Sequence, residues 1–557
     1  MKNTAPSPES HPLISWKWFL LAALVFAAQA VPRIWTDSLV NDEAWEVTNG
    51  FAYLTQGETR TGRDYIHPPL VPALHALPLL ALDLKPLPQG FDGQNRAFIF
   101  YYLANSDRLP FLAALPRMAS ILLGLSVGFL LFLFNRREDP IVVATILCLW
   151  AFEPNFLAWT VPAKTDSGTV AFAVLAVGLF GRALRNRDPR LDWAAGAALG
   201  AALTSKLTLG VLPIAFLLAD LLTPRKQPRR LMLWIRLAAG SAAWITLLYL
   251  PAWIHSGDPM RPLLDYWRNI NHMMSLGQLP IPQYLLHRLY DTAPAWTFPL
   301  VFALKCPLPL TLALIAAAIS AVRGKIRLDW VWVLPALILL AAISVERLAA
   351  FRYALPALAL LYPTIGRTAS WFWRRSPGRL TGALWTTFLL AWFIASALVQ
   401  AGHPLTYFID PIPSQERSLA LGDYNFDVGQ DFKRLARTAH SRGWKSLKLA
   451  DTLMSEPCFD GVPWTSWTQR DLLGPQPGNV YVVGVSLLRS GYVAYPQIRD
   501  LALGWPSRIP PTGRVGETLF YWEIPGKQKE DPTSPIHSRP YLKYFIPPCA
   551  LDRSAAP

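Results

Sequence analysis

The sequence predicts an α-helical polytopic membrane protein with a small α/β domain at its C-terminal end. Three observations carry that expectation. Of 557 residues, 52% are hydrophobic and only 16% are charged, against about 25% charged in an ordinary soluble domain. The apolar residues gather in runs of about 18 to 26, the length at which a helix crosses about 30 Å of hydrocarbon. After His403 the long runs stop, and short β-branched and aromatic stretches take over between Gly- and Pro-rich turns. Disorder, a collagen-like fibre and a disulfide framework are excluded by the same composition, with four cysteines in the whole chain.

Taken in order, the first run at 17–35 reads as a retained signal-anchor helix, although Ala28-Gln29-Ala30 resembles a signal-peptidase site. Further spans are expected near 109–135, 141–159, 168–185, 191–207, 208–222, 231–253, 296–321, 329–346, 353–371 and 380–400. With the N-terminus inside, these eleven crossings put the basic loops in the cytoplasm: Arg136-Arg137, Arg182–Arg190, Arg225–Arg230, Arg323–Arg327 and Arg374–Arg379. The net charge of +15 therefore reports orientation, and nucleic acid is not an expected partner. The same count places 36–108, 160–167, 254–295 and everything after 402 outside. The apolar stretch from His67-Pro68-Pro69 to Leu82 is too short to span and reads as a re-entrant or interfacial helix.

The chain thus divides into a transmembrane domain, 1–402, with the external loop 36–108, an α/β domain, 403–526, and a Pro-rich, loosely ordered tail, 527–557. Within the α/β part an amphipathic helix carries Phe432, Leu435 and Ala436 on one face. Strands are expected at 446–450, 479–485 and 518–524. Cys148 and Cys306 lie in apolar runs and pack as small hydrophobes. Cys458 and Cys549 fall outside, where pairing and free thiols both stay open.

Candidate chemistry gathers at the external ends of the spans. Asp42 and Glu46 stand one turn apart on a helix expected over 42–56 and ending at Gly57. Asp42 is either a helix cap or a functional carboxylate placed at the lipid surface. Asp166 opens another span at the same depth, with the same two readings. Lys305 lies too deep in its run for an idle charge; it either snorkels to the headgroups or binds a ligand. Lys206 faces the same choice, and Arg352-Tyr353 heads a further run. No P-loop, paired CxxC, HExxH or internal repeat occurs.

Asp42-Glu43 followed by His67-Pro68-Pro69-Leu70 resembles the first external loop of the GT-C membrane glycosyltransferases, in particular the protein O-mannosyltransferase and aminoarabinose-transferase relatives of glycosyltransferase family 39. The resemblance continues through Arg117, Glu153–Asp166, Thr204-Ser205-Lys206, Phe298–Pro309 and Arg352-Tyr353-Ala354-Leu355-Pro356. It ends in 423–431, which is similar to that group's D-S-N-x-D-W-G-Q-D stretch, with Val428 in place of the Trp. It implies transfer of a sugar from a polyprenyl-phosphate donor to a protein, lipid or polysaccharide acceptor at the outer face, in a bacterial inner (plasma) membrane. The implied catalytic residues are Asp42, with Glu43 as local competitor, and Asp166. His67, Lys305, Arg352 and Tyr353 are the implied substrate-binding residues. His67 stands where the aminoarabinose transferases carry Lys, so its charge depends on its surroundings.

Chemistry points the same way. A departing lipid phosphate gains negative charge that Lys305, Arg352 or a protonated His67 would stabilise. One carboxylate suffices to take the acceptor proton in a single, inverting displacement. A divalent cation bridging Asp42 and Asp166 is compatible with the preference of hard cations for carboxylate oxygen, though no ligand spacing demands one. The alternative reading is a transporter or flippase of a lipid-linked glycan. Transporters bind near the bilayer midplane between repeats, whereas this chain has no repeat and gathers its charges at one face.

Overall fold

The computed structural model describes residues 14–527, apart from 60–66, 89–92, 187, 224–230, 277–282, 345–349, 376–378, 411, 423–424, 452–456, 466 and 491–503. Among these, five helices are long and apolar enough to cross a membrane: Trp16–Thr36, Ser106–Asn135, Thr165–Arg185, Leu231–Ser256 and Leu380–Val399. Two bent pairs raise the number to seven at most. Pro140–Phe152 meets Pro154–Thr160 at 54°, and Thr297–Lys305 meets Leu308–Val322 at 113°.

Eleven crossings are therefore not reached by length and composition, for two physical reasons. The runs 141–159 and 296–321 contain Pro154 and Pro307, whose rings remove a backbone donor and clash with the preceding turn, so each run breaks. The runs 208–222 and 329–346 form only the shorter apolar helices Leu207–Leu222 and Trp330–Ser344. The run 191–207 ends early, as helix Pro189–Leu203. Outward-facing Leu20, Leu24, Leu122, Ile235, Leu384 and Phe388 are all exposed. An apolar outer surface of this kind is what a bilayer covers.

Between the first two spans, helix Glu43–Gln56 ends on Gly57, whose φ of 62° lets its N–H reach back to the Tyr53 carbonyl. The stretch after His67 is helix Leu70–Ala76 followed by a 3₁₀ turn, Leu77–Ala81. The two helices pack so closely that a Cβ on Gly50 would strike the carbonyl of Pro72. Only glycine permits that approach.

A short antiparallel hairpin, β1 (Gln283–Leu285) and β2 (Arg288–Tyr290), precedes the C-terminal sheet. That sheet contains β3 (Leu447–Ala450), β4 (Trp464–Thr465), β5 (Val480–Gly484), β6 (Gly513–Val515) and β7 (Leu519–Glu523), in the order β4-β3-β5-β7-β6. β3 runs parallel to both β4 and β5, while β7 is antiparallel to β5 and β6. Alternation sorts the side chains. Leu449, Val482 and Tyr521 pack with Phe432, Leu435 and Ala439 of helix Phe432–Arg442, and Tyr481 and Trp522 pack with Trp467 and Trp505 opposite. The side chain of Cys458 and the tail with Cys549 lie outside the described residues.

Candidate active site

The charged residues meet at one end of the helix bundle. Contacts join the end of Trp16–Thr36 and the segment after Pro189–Leu203 to the first half of Ser106–Asn135, the first turn of Thr165–Arg185 and the turn before Leu355: Arg117 with the Ile34 carbonyl, Ser120 with Ser167, and Lys206 with Asp166 and the Tyr353 ring. Acidic side chains suit helix N-termini and cations suit C-termini. Asp166 in the first turn of one helix and Lys206 just beyond another follow that rule, and they form a buried ion pair at 2.9 Å.

Asp42 does not cap its helix. Its backbone is left-handed, with φ 65°, and its side chain makes no capping hydrogen bond. A non-glycine residue in this region costs about 1–3 kcal/mol and persists only where the surroundings impose it. The imposing residue is Glu43. Arg117 grips both its carboxylate oxygens, at 2.7 and 2.8 Å, and also donates to the carbonyls of Ile34, Asp37 and Ser38. The same carboxylate accepts from the N–H groups of Val40 and Ala163. Burial would raise the Glu43 pKa, but the guanidinium and these donors hold it below the usual range. With every oxygen so occupied, Glu43 organises the turn and leaves the exposed carboxylate to Asp42.

Lys164 joins the two acidic centres. Its ammonium donates to the Asn41 carbonyl at 2.9 Å and lies 3.3 Å from Asp42 and 3.8 Å from Glu46. Glu46 is buried, and accepts the Thr165 N–H at 2.9 Å. Burial, opposed by Lys164 and reinforced by Asp166 and Asp42, pushes its carboxyl up to about 7. Across the pocket, the Arg352 guanidinium lies over Trp159, 4.4 Å from the ring centre, and over Tyr353 at 5.3 Å. The Lys206 ammonium stands 4.9 Å from the Tyr353 ring.

His67 faces this cluster but does not supply a cation. Burial first, then Lys206, Lys164 and Arg352, overcome the pull of Asp166 and lower its pKa to about 3. A protonated His67 is thus corrected to a neutral imidazole, and the positive charge at the pocket comes from Lys164, Lys206 and Arg352. Lys305 is also placed differently from the expectation. It is buried, with its ammonium on the carbonyls of Leu405 at 3.0 Å and Asn425 at 2.7 Å. There it ties the bend after helix Thr297–Lys305 to the C-terminal part. Glu153 caps helix Pro154–Thr160 through the Phe156 N–H and holds Asn155.

A bridging metal does not fit these residues. Each carboxylate offered to it faces an ammonium instead, Asp42 that of Lys164 and Asp166 that of Lys206. Among the described residues no group of three His, Cys, Asp or Glu side chains could hold an ion. Sequence reasoning passed over Lys164, and noted Glu46 only as sharing a helix face with Asp42, without a role in the site. The signal for them was a lysine two residues before Asp166 and a glutamate one turn after Asp42.

Residues 112–255 match the family described as dolichyl-phosphate-mannose-protein mannosyltransferase. That segment carries Arg117, Lys164, Asp166 and Lys206. The resemblance to the protein O-mannosyltransferase branch of the GT-C enzymes, read first from the sequence, is met there. Among solved structures the chain is similar to ArnT from Cupriavidus metallidurans in the apo state, at 14% identity and a TM-score of 0.49, over 91% of this chain and 97% of that one. The same protein bound to undecaprenyl phosphate matches at 14% identity and a TM-score of 0.48, over 91% and 98%. The S. cerevisiae protein O-mannosyltransferase Pmt1-Pmt2 complex, bound to the sugar donor, matches at 21% identity and a TM-score of 0.30, over 48% and 36%. No curated protein matches the chain.

Proposed function

We propose that the protein transfers a sugar from a polyprenyl-phosphate donor to an acceptor hydroxyl at the extracytoplasmic face of a bacterial inner membrane, with inversion. The observation that carries this reading is the strained Asp42. Its partly exposed carboxylate lies beside Lys164 and within electrostatic reach of Arg352, which shares the Tyr353 ring with Lys206.

The donor phosphate lies against Lys206 and Arg352. As the bond from the anomeric carbon to phosphate oxygen breaks, these cations take up the charge that develops on the leaving group. Asp42 accepts the proton of the acceptor hydroxyl while its oxygen bonds to the anomeric carbon from the opposite side. Lys164 directs the Asp42 carboxylate, and Asp166 holds Lys206 in place. Tyr353 offers an aromatic face between the two cations. In this topology the N-terminus is cytoplasmic and residues 403–557 lie outside.

Purified protein in lipid nanodiscs, given polyprenyl-phosphate mannose and other polyprenyl-phosphate sugars with peptide, lipid or glycan acceptors, tests the reading by mass spectrometry of the products. A glycosylated product in wild type that is lost in Asp42→Asn supports it. Movement of donor across proteoliposomes without any product would establish a flippase instead.

A further inference from the structure

Asp42 and Arg352 lie far apart in sequence, on different elements, yet one loop touches the segment before each of them. On one side the Ser38 N–H donates to the Gln430 carbonyl at 3.2 Å, and the Asn41 N–H donates to the Val428 carbonyl at 2.8 Å. On the other, the Phe351 N–H donates to Oδ1 of Asn425 at 2.9 Å. Phe351 opens the 3₁₀ turn Phe351–Ala354, which carries Arg352.

The loop is itself held from several sides. Gln430 accepts the Val428 N–H at 2.9 Å and donates to the Phe426 carbonyl at 3.0 Å. Asp427 accepts the N–H groups of Gly429 and Ser486, both at 3.2 Å. Asp431 accepts the Glu517 and Thr518 N–H groups and the Thr518 hydroxyl, at 2.9 to 3.1 Å. Gly429 turns the chain at φ 86°. These bonds root the loop in the C-terminal sheet while its outer edge meets the bundle. Val428 contributes its backbone carbonyl to this edge, so a Val in place of the usual Trp does not remove the contact.

We infer that loop 425–431 is the positioning element of the site, the Val428 carbonyl fixing the turn that presents Asp42 and the Asn425 side chain fixing the turn that presents Arg352. The inference rests on the roles proposed above for Asp42 and Arg352. Asn425, Val428 and Gln430 act through the two turns, by their bonds to Phe351, Asn41 and Ser38. The C-terminal part is then half of the catalytic unit, not a module appended to choose acceptors. Because the two turns hang on different atoms of the loop, they separate under mutation.

The test crosses two variants of the full-length protein in nanodiscs with two readouts. Gln430→Ala loosens the backbone rung to Asn41, and Asn425→Ala removes the acceptor for Phe351. Hydrogen exchange followed by mass spectrometry reports amides 38–42 and 351–354 separately. Kinetics with polyprenyl-phosphate mannose, and the Kd for undecaprenyl phosphate, report catalysis and donor binding. Gln430→Ala is expected to speed exchange only at 38–42 and lower kcat about five- to tenfold, with Kd unchanged. Asn425→Ala is expected to speed exchange only at 351–354 and raise Kd about five- to tenfold, with kcat within about twofold. Asn425→Asp keeps an acceptor oxygen beside Lys305 and restores Kd.

Faster exchange at both segments in both variants, or at neither, overturns the inference and leaves the loop merely structural. A wild type that forms no product, with the crossed exchange pattern intact, instead removes the glycosyl-transfer reading and leaves the positioning role standing.

Discussion

Arg117 holds Glu43 by both carboxylate oxygens, and the two side chains are each only 1% exposed. The pair stands directly behind Asp42 and converts a sequence of two adjacent acids into two unlike groups. One is buried and gripped by a guanidinium; the other is partly exposed and lies beside Lys164. In the choice between Asp42 and Glu43 as base, Glu43 is the one whose two oxygens are both taken up by Arg117 and by the N–H groups of Val40 and Ala163.

Glu43→Gln should be costly to the fold. Breaking one side of a buried pair leaves an uncompensated charge on Arg117, at about 3–5 kcal/mol. Thermal melting in detergent should show a drop of several degrees in Glu43→Gln and almost none in Asp42→Asn. For Asp42→Asn, loss of a general base predicts a fall of about 10²–10⁴-fold in transfer rate. Equal melting losses in both variants would show that Asp42, too, is structural.

Arg352→Ala should weaken binding of undecaprenyl phosphate by about tenfold or more while the protein still inserts and melts normally. Arg352→Lys should recover little, because a lysine cannot lay a planar guanidinium across Trp159. Titration of lipid binding in nanodiscs checks both. Full recovery by lysine would mean that point charge alone, without stacking, holds the phosphate.

Lys305→Met separates two functions that the sequence could not. The ammonium serves the carbonyls of Leu405 and Asn425, so its loss should lower stability by about 1–3 kcal/mol. Donor affinity should change much less than in Arg352→Ala. Melting and lipid titration on the same preparation decide the matter.

Glu46 should make stability depend on pH near neutrality. A carboxyl whose folded pKa lies near 7, above its unfolded value of about 4.5, contributes stability that is fully present below about pH 4.5. That contribution is lost as pH rises to about 7. Glu46→Gln cannot ionise, so its melting temperature should gain on wild type between about pH 4.5 and 7 and then run parallel above. A constant offset across that range would place the Glu46 pKa in the ordinary carboxylate range.

The order of motifs along the chain led to the residues that gather at one end of the bundle, because they all head or end apolar runs. The three strand runs became β3, β5 and β7 with ends shifted by about a residue. Alternating Val, Leu and aromatic residues between Gly and Pro turns read clearly. Length and composition take the described residues to five crossings, or seven with the bent pairs, against the eleven expected. Apolar length measures what lipid tolerates, whereas Pro154 and Pro307 decide where a helix bends. Pairings were the least legible part. Nothing local in the sequence says that Lys206 meets Asp166, that Lys305 meets two carbonyls, or that three cations surround His67 and keep it neutral. Such facts arise only when distant segments share a volume.

The contact between Gly50 and Pro72 has a mechanical consequence. With backbone pressed on backbone, helices Glu43–Gln56 and Leu70–Ala76 are riveted together and cannot slide past one another to admit a bulky lipid. The wall that bears Asp42 is an anvil. On the proposed reading, a donor therefore meets at Asp42 a wall that does not yield.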